Sequence, residues 1–249
     1  MRHAESPAGG LARTFVSLAD TMVADFDVTE LLDRLVLATA EVLDAESVGV
    51  LLSDQGGNLQ VMASSSEQSR LVEVFQLQTQ EGPSLDCYEG GTPVTVPDLA
   101  SADERWPSFV PAATALGFRS VHALPLRLRS ETIGALNVFD VPRRVPLNGN
   151  LGIAQEFANV ATIGILQHWA VRRAQVLAEQ LQHALSSRVV IEQAKGILAA
   201  KAQQPDMDEA FARLRHHARN HNARLSDLAH DLVAGRISAD AILSTTPRS

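Results

Sequence analysis

Hydrophobic residues recur at helical spacing in the first part of the chain, and the period then changes to that of strands. Apolar positions predict two amphipathic helices, over residues 10–25 and 29–43. The segments 47–54 and 58–65 are apolar and flank a Gly-Gly pair, which is typical of a two-stranded hairpin. The chain therefore begins with helices and continues into a sheet.

The middle of the chain repeats this order. A helix is predicted at about 66–78, and turn residues then dominate from 81 to 106, which indicates a long connection that contains a short PVTV strand. The apolar stripe of the helix is Leu71, Val74, Phe75 and Leu77. A further helix is expected at 107–116, followed by a second hairpin over 118–129 and 132–140. The order predicts an α+β domain, an antiparallel sheet with helices on one face.

After Pro142 and Pro146, little interrupts a helical pattern from Leu151 to about Gln203. Within it, apolar residues alternate at steps of four and three, as in a coiled coil: Ala170, Ala174, Leu177, Leu181 and Ala184. This covers about two heptads, fewer than a confident assignment needs, so packing on the chain's own domain is an alternative. The narrow stripe favours the seam of a homodimer.

Short amphipathic helices end the sequence. Pro205 stops the long helix, and Asp206 with Glu209 has the spacing of a capping box. A third helix is expected after Leu225, with Ser226 as its cap and Gly235 at its end, and a further turn at 238–243. Since such helices bury little surface alone, their apolar stripes must face one another in a three-helix bundle.

Charge is unevenly distributed along the chain. The 249 residues have a formal charge of −8, but residues 1–170 carry 10 basic and 21 acidic residues, whereas residues 171–249 carry 11 basic and 8 acidic ones. This asymmetry indicates nucleic-acid contact by the C-terminal part, although a mixed solvated surface explains charge alone equally well. No secretory signal or membrane span is found, so we expect a cytoplasmic protein.

Catalytic and metal-binding patterns are missing. No P-loop, GxGxxG, HExxH or GxSxG occurs, and the single Cys87 has no histidine nearby in sequence. His216, His217 and His221 could share a helix face, but neither acidic nor thiol ligands accompany them, so solvated histidines are the favoured interpretation. The sequence predicts a protein that is not an enzyme and has no cofactor or metal.

The C-terminal residues resemble the ANTAR family through SRVVIEQAKGILAA at 187–200 and DEAFARLRHHARNHNARLSDLA at 208–229. The resemblance implies a domain that binds paired RNA stem-loops, commonly as a homodimer, and keeps RNA polymerase from stopping. It places RNA contact at Arg188, Lys195, Arg215, Arg219 and Asn222. Arginine suits this role because it pairs with phosphate and stacks on bases. Close helix packing accounts for Ala194 and Gly196, and a helix end is the other interpretation of Asn222.

Upstream, EGPSLDCYEG, PVTVPDL, GFRSVHALPLRL and IGALNVF resemble a GAF domain over residues 12–168. The resemblance implies a sensor domain, with a small-molecule ligand of unknown identity. Its candidate pocket residues are Trp106, Phe109, Phe118 and His122, for which a plain core is the alternative. The predicted division is a tail at 1–11, the GAF-like domain at 12–168, a helical linker at 169–186 and the ANTAR bundle at 187–245.

Two further functions compete with RNA binding. The terminal helices could form a DNA-binding helix-turn-helix, but the segment SDLAHDLV carries two acids and no arginine. Alternatively, the acidic first domain binds a small molecule and acts through a protein partner. In either case the protein is a regulator, without membrane contact.

Overall fold

The computed structural model describes residues 13, 15–18, 20, 27–54, 56–141, 151–202 and 206–244. The predicted tail, the three prolines at 142, 146 and 205, and most of the predicted helix at 10–25 lie outside them. The chain forms two compact units, residues 1–170 and 171–249. Among the described residues, no helix is both long and apolar enough to cross a membrane.

The first unit is built from a five-stranded sheet and flanking helices. Its strands are β1 Ser47–Ser53, β2 Leu59–Ser64, β3 Val94–Val96, β4 Ser120–Leu128 and β5 Glu131–Asp140. Its helices are α1 Val28–Leu43, α2 Glu67–Thr79, α3 Pro83–Gly90, α4 Phe109–Ala115 and the beginning of α5 Leu151–Lys201. The later helices are α6 Met207–Asn220, α7 Leu225–Val233 and α8 Ala239–Leu243. The predicted α+β class is confirmed.

All strand pairs are antiparallel, in the order β2-β1-β5-β4-β3. Both faces of this sheet are covered, whereas helices on one face were predicted. Leu136 and Val138 of β5 join a core with α1 and α5, and Phe139 joins a second core with α2 and α4. The unbroken burial of β5 from Ile133 to Asp140 explains the difference, since a strand buried on both sides needs cover on both.

Helix α2 is oriented opposite to the prediction. Leu71 and Val74, assigned to its buried stripe, are 50% and 36% exposed. The residues that α2 buries are mostly polar: Ser69, Val72, Glu73 and Gln76. Hydrophobic periodicity cannot predict such a face, because burial of polar groups depends on partners that lie elsewhere in the chain.

Helix α3 lies within the stretch predicted to be a connection. Gly82 precedes it with φ 140°, Pro83 occupies its first turn, and Gly91 ends it in the left-handed conformation. These turn residues are the start and stop signals of a short helix, in which proline needs no hydrogen-bond acceptor at the first position.

The helices of the second unit pack around a core of small and branched residues. Ala194, Leu198, Leu214, Ala229 and Ile242 are almost fully buried there. Gly196 does not take part in this packing, because it is exposed and a Cβ at that position would meet no atom within 4 Å. The predicted packing role is therefore correct for Ala194 and wrong for Gly196.

The helix caps of this unit differ from the predicted ones in two respects. Asp206 caps α6 as predicted, by accepting from the backbone N–H of Asp208 at 2.8 Å. Glu209 bonds Arg213 instead of reaching back to the cap. Ser226 lies inside α7 and bonds Asp227, while Arg224 occupies the N-cap position without a side-chain cap.

Candidate functional site

Three arginines of the second unit are available to a partner. Arg188 on α5 and both Arg215 and Arg219 on α6 are exposed, and none forms an ion pair with any residue that the structure describes. Arg213, by contrast, bonds Glu209 at 2.6 Å and the carbonyl oxygen of Leu243 at 2.8 Å. The three arginines thus keep their positive charge unneutralised by neighbouring carboxylates.

Lys195 is the most enclosed of the predicted RNA-binding cations. Only 15% of its side chain is exposed, and its Nζ lies 3.0 Å from both carboxylate oxygens of Glu192. The same Nζ lies 5.6 Å from the ring centroid of Phe211 on α6, within the range of a cation–π contact. Lys195 therefore connects the outer flanks of α5 and α6.

These contacts bring the predicted cations to one side of the unit. Arg188 and Lys195 are about two helical turns apart on α5, and residues at this spacing share a helix face. The same rule aligns Phe211, Arg215 and Arg219 on α6, and the contact of Lys195 with Phe211 joins the two rows. We call Arg188, Lys195, Phe211, Arg215 and Arg219 the cationic face.

Asn222 lies beyond the end of α6, and its backbone supports the interpretation as a helix-end residue. Its φ is 49°, in the left-handed region that asparagine adopts more readily than most residues, and its N–H donates to Arg219 O at 3.2 Å. The side chain is exposed. Contact of Asn222 with RNA stays a prediction.

The histidines in the last turns of α6 and at its C-cap contact one another and neighbouring polar groups. The rings of His217 and His221 stack with centroids 4.1 Å apart, and His216 Nε2 lies 2.9 Å from Asn220 Nδ2. Burial, together with the charges of His221 and His216, lowers the pKa of His217. Within the described ranges, no group of three or more His, Cys, Asp or Glu side chains could hold a metal ion.

The candidate pocket residues of the first unit do not come together. Trp106, Phe109 and Phe118 lie in one apolar core, where the first two rings meet edge to face at 6.1 Å. His122 pairs with Val138 across β4 and β5, and strand alternation puts it on the opposite face, with Leu124. Burial lowers the pKa of His122. The ligand itself stays a prediction.

A buried polar network that the sequence did not reveal lies between α2, α3 and the sheet. Glu73 accepts from Ser64 Oγ at 2.8 Å and from Asn137 Nδ2 at 3.0 Å. Asn137 in turn accepts from Ser84 Oγ at 2.9 Å, and the N–H of Ser84 donates to Gln76 Oε1 at 3.1 Å. The Nε2 of Gln76 is buried without a hydrogen-bond partner among the described residues. The network links four elements: α2, α3, β2 and β5.

Glu73 is the unusual member of this network. Burial raises the pKa of Glu73 to about 7, although the hydrogen bonds from Asn137 and Ser64 oppose the shift. Gly49 makes room for its carboxyl group, since a Cβ there would overlap the Glu73 oxygens. The site therefore holds a carboxyl group that changes charge near neutral pH.

Cys87 lies near the same face of the sheet, in a small apolar cluster with Ala123 and Ala135. Burial raises the pKa of the Cys87 thiol to about 12. Because the thiolate is the nucleophilic form, the environment of Cys87 gives no support for nucleophilic catalysis.

Two open cavities lie beside the first unit's edge strand, β2. One of about 490 Å³ is lined by Asp33, residues 61–67 and Arg70. A second of about 180 Å³ is lined by residues that include Leu59, Leu85 and Tyr88. None of the four candidate pocket residues lines either cavity.

The first unit is thus an antiparallel sheet covered by helices on both faces, and the second is a bundle of helices with three exposed arginines that no described carboxylate pairs with. The sequence profile of the GAF domain family matches residues 27–165, and the chain belongs to that family. The profile of the ANTAR domain matches residues 179–233, so the chain also carries an ANTAR domain. Both recognised families are thereby confirmed, while the exact domain boundaries stay predictions.

A solved structure agrees with the fold of the first unit, and a second one is similar to this chain. The GAF domain of a phosphoenolpyruvate-protein phosphotransferase from Acinetobacter is 17% identical, with a TM-score of 0.53 over 66% of this chain and 95% of its own. The corresponding GAF domain from Coxiella burnetii is also 17% identical, with a TM-score of 0.49 over 68% and 99%. Comparison with curated proteins gives no match. At 17% identity, the likeness to the Acinetobacter structure shows the fold alone.

Proposed function

We propose that this chain is a regulator of transcription antitermination that binds RNA stem-loops through the cationic face of its ANTAR domain, under the control of its GAF domain. The observation that carries the proposal is the set of three exposed arginines, Arg188, Arg215 and Arg219, which the structure leaves without acidic partners among the described residues. Their location in a domain of this family supports RNA as the partner.

The chemistry of the cationic face suits structured RNA. Guanidinium groups bind phosphate oxygens through paired hydrogen bonds and stack on unpaired bases, and hairpin loops expose both. An RNA held as stem-loops on the protein cannot refold into a competing terminator, so RNA polymerase continues. This activity involves no bond making or breaking, and we propose that the protein is not an enzyme. Action on nascent transcripts places it in the cytoplasm.

The proposal includes a homodimer. All residues of α5 from 170 to 186 are exposed, including Leu177 and Leu181, which are 55% and 57% exposed. An uncovered helix with an apolar stripe at heptad spacing is stabilised by pairing with a second copy. Two copies supply two cationic faces, which matches an RNA with two stem-loops.

Replacing Leu177 and Leu181 by Glu should convert the dimer to a monomer. Each dimer would lose four buried leucines and gain four carboxylates in the seam, so we expect the dimer dissociation constant to rise by at least about 100-fold. Sedimentation velocity over a concentration series measures the change. Glu substitutions at Gln175 and Gln182, on the opposite side of α5, add the same charge and should leave the dimer intact. An unchanged dimer in the leucine variant would remove this seam from the proposal.

The signal from the GAF domain is proposed to act through α5, which belongs to both units. A ligand that binds one conformation of the first unit more tightly shifts the population of the whole chain toward that conformation. The buried polar network beside α2 supports this proposal. Its polar groups are stabilised only while their specific partners stay in place, so the network favours one conformation of the first unit over another.

Selection from a random library tests RNA binding directly. The full chain is incubated with RNAs that contain two adjacent stem-loops with randomised loops, and the bound fraction is sequenced. We expect enrichment of particular loops, and binding that is weaker for RNA with scrambled stems. Equal binding to scrambled RNA, or tighter binding to duplex DNA at the same salt concentration, would overturn the proposed function in favour of a different partner.

A further inference from the structure

The second unit contains a single large aromatic residue, and it lies at the surface. Phe211 is the only Phe, Tyr or Trp in residues 171–249. It is partly exposed, and it is not among the residues that form or pack against the described apolar core of this unit, such as Leu214 and Leu225. A phenylalanine ring stabilises a fold most when it is fully buried. The stability of the unit therefore does not explain why Phe211 lies at the surface.

The surroundings of Phe211 are cationic. Lys195 Nζ lies 5.6 Å from the centroid of the ring. Arg215 and Arg219 follow Phe211 by one and two helical turns, and both are exposed. The ring is therefore an apolar surface within a group of side chains that bind phosphate.

The contacts of Lys195 can be exchanged for others. Glu192, its partner, is 54% exposed, so water competes with this ion pair and the pair contributes little stability. A phosphate group that approaches Lys195 would replace the carboxylate of Glu192, and the ammonium group would move with it.

We propose that the ring of Phe211 is a stacking platform for one unpaired base of the RNA loop. The inference rests on the proposed RNA-binding function and specifies how a loop, as opposed to a stem, is recognised. A hairpin loop presents unstacked bases whose flat faces stack on aromatic side chains irrespective of their hydrogen-bonding edges. Lys195 and Arg215 then hold the phosphates on either side of the stacked nucleotide.

If Phe211 stacks on a base, its contribution to RNA affinity depends on one nucleotide of the loop. If Phe211 has only a structural role, its substitution affects the binding of every RNA. The experiment uses the tightest RNA from the selection, and a series of copies in which each loop nucleotide in turn lacks its base. Affinities are measured for the full chain and for Phe211→Leu, which keeps an apolar side chain but removes the aromatic ring. Phe211→Trp serves as the matched variant that retains a stacking surface. Circular dichroism and thermal unfolding establish that each variant is folded.

At one loop position, we expect loss of the base to weaken binding to the unaltered chain by about 10-fold, the usual scale for stacking on an aromatic side chain. Phe211→Leu should weaken binding to intact RNA by a similar factor and be insensitive to loss of that base, whereas Phe211→Trp should behave like the unaltered chain. If Phe211→Leu instead weakens binding to every RNA of the series equally, the ring is structural and the inference fails. It also fails if the substitution has no effect. In both cases the proposed function stands, because the unaltered chain still prefers stem-loops.

Discussion

Replacing Arg215 and Arg219 together by Ala should weaken binding of stem-loop RNA on the order of 100-fold. Each arginine is expected to form a charge-assisted contact with phosphate, and loss of each contact lowers affinity by about 10-fold. The salt dependence should change as well. Because each neutralised phosphate contributes about 0.7 to 0.9 to the slope of log affinity against log salt, the slope should decrease by about 1.4 to 1.8. Fluorescence anisotropy at several salt concentrations gives both values.

Arg236→Ala is the matched control for this double substitution. Arg236 is an exposed arginine of the same unit, with 57% of its side chain accessible, but it pairs with Asp231 at 2.7 Å. Its removal should change RNA affinity less than about 2-fold, because Arg236 is not part of the cationic face and contacts no phosphate in the proposed complex. A salt slope that is unaltered in the double variant, or an equal loss of affinity in the control, would show that the cationic face is not the contact surface.

Replacing Glu73 by Gln should remove a large pH dependence of stability from the first unit. The pKa of Glu73 is raised by burial from 4.5 to about 7 in the folded chain, so folding favours the protonated form. The contribution of Glu73 to the free energy of unfolding is therefore fully present below the pKa of the unfolded chain. It decreases as the pH rises toward 7 and does not change further above the folded pKa. The shift corresponds to about 3 kcal/mol, most of which should be lost between about pH 5 and pH 8.

Tryptophan fluorescence isolates the unit in question, because Trp106 and Trp169 both belong to the first unit. Urea unfolding at several pH values then gives the free energy of unfolding for the unaltered chain and for Glu73→Gln. The difference between them should change by about 2 to 3 kcal/mol over this range. Glu67→Gln, an exposed position on the same helix, should show no such change. A constant difference between the unaltered chain and Glu73→Gln would mean that Glu73 titrates normally and is not enclosed.

The second unit could be predicted closely from the sequence, because its structure follows local rules. Ala194 is buried as predicted for close helix packing, and Asp206 caps its helix. The prediction was wrong at two residues. Gly196 was expected at a close helix contact but is exposed, and Ser226 was expected at an N-cap but lies inside α7. The available arginines were identified by resemblance, while the enclosure of Lys195 by Glu192 and Phe211 depends on the packing of two helices.

The first unit was less predictable where polar residues are buried. Periodicity assigned Leu71 and Val74 of α2 to the core, and the structure turns Glu73 and Gln76 inward instead. The partners that make this burial tolerable, such as Asn137, lie 64 residues from Glu73 in sequence. Local sequence rules fail here because the partners of a buried polar group come from distant parts of the chain.

Photo-crosslinking of the full chain to its selected stem-loop RNA, followed by mass spectrometry of the crosslinked peptides, tests the central claim most directly. We predict crosslinks in residues 188–199 of α5 and in residues 211–222, which cover most of α6 and the turn after it, with Phe211 among them. The crosslinks should be lost when unlabelled stem-loop RNA competes. Crosslinks confined to the first unit, or to α7 and α8 of the second, would contradict the assignment of RNA binding to the cationic face.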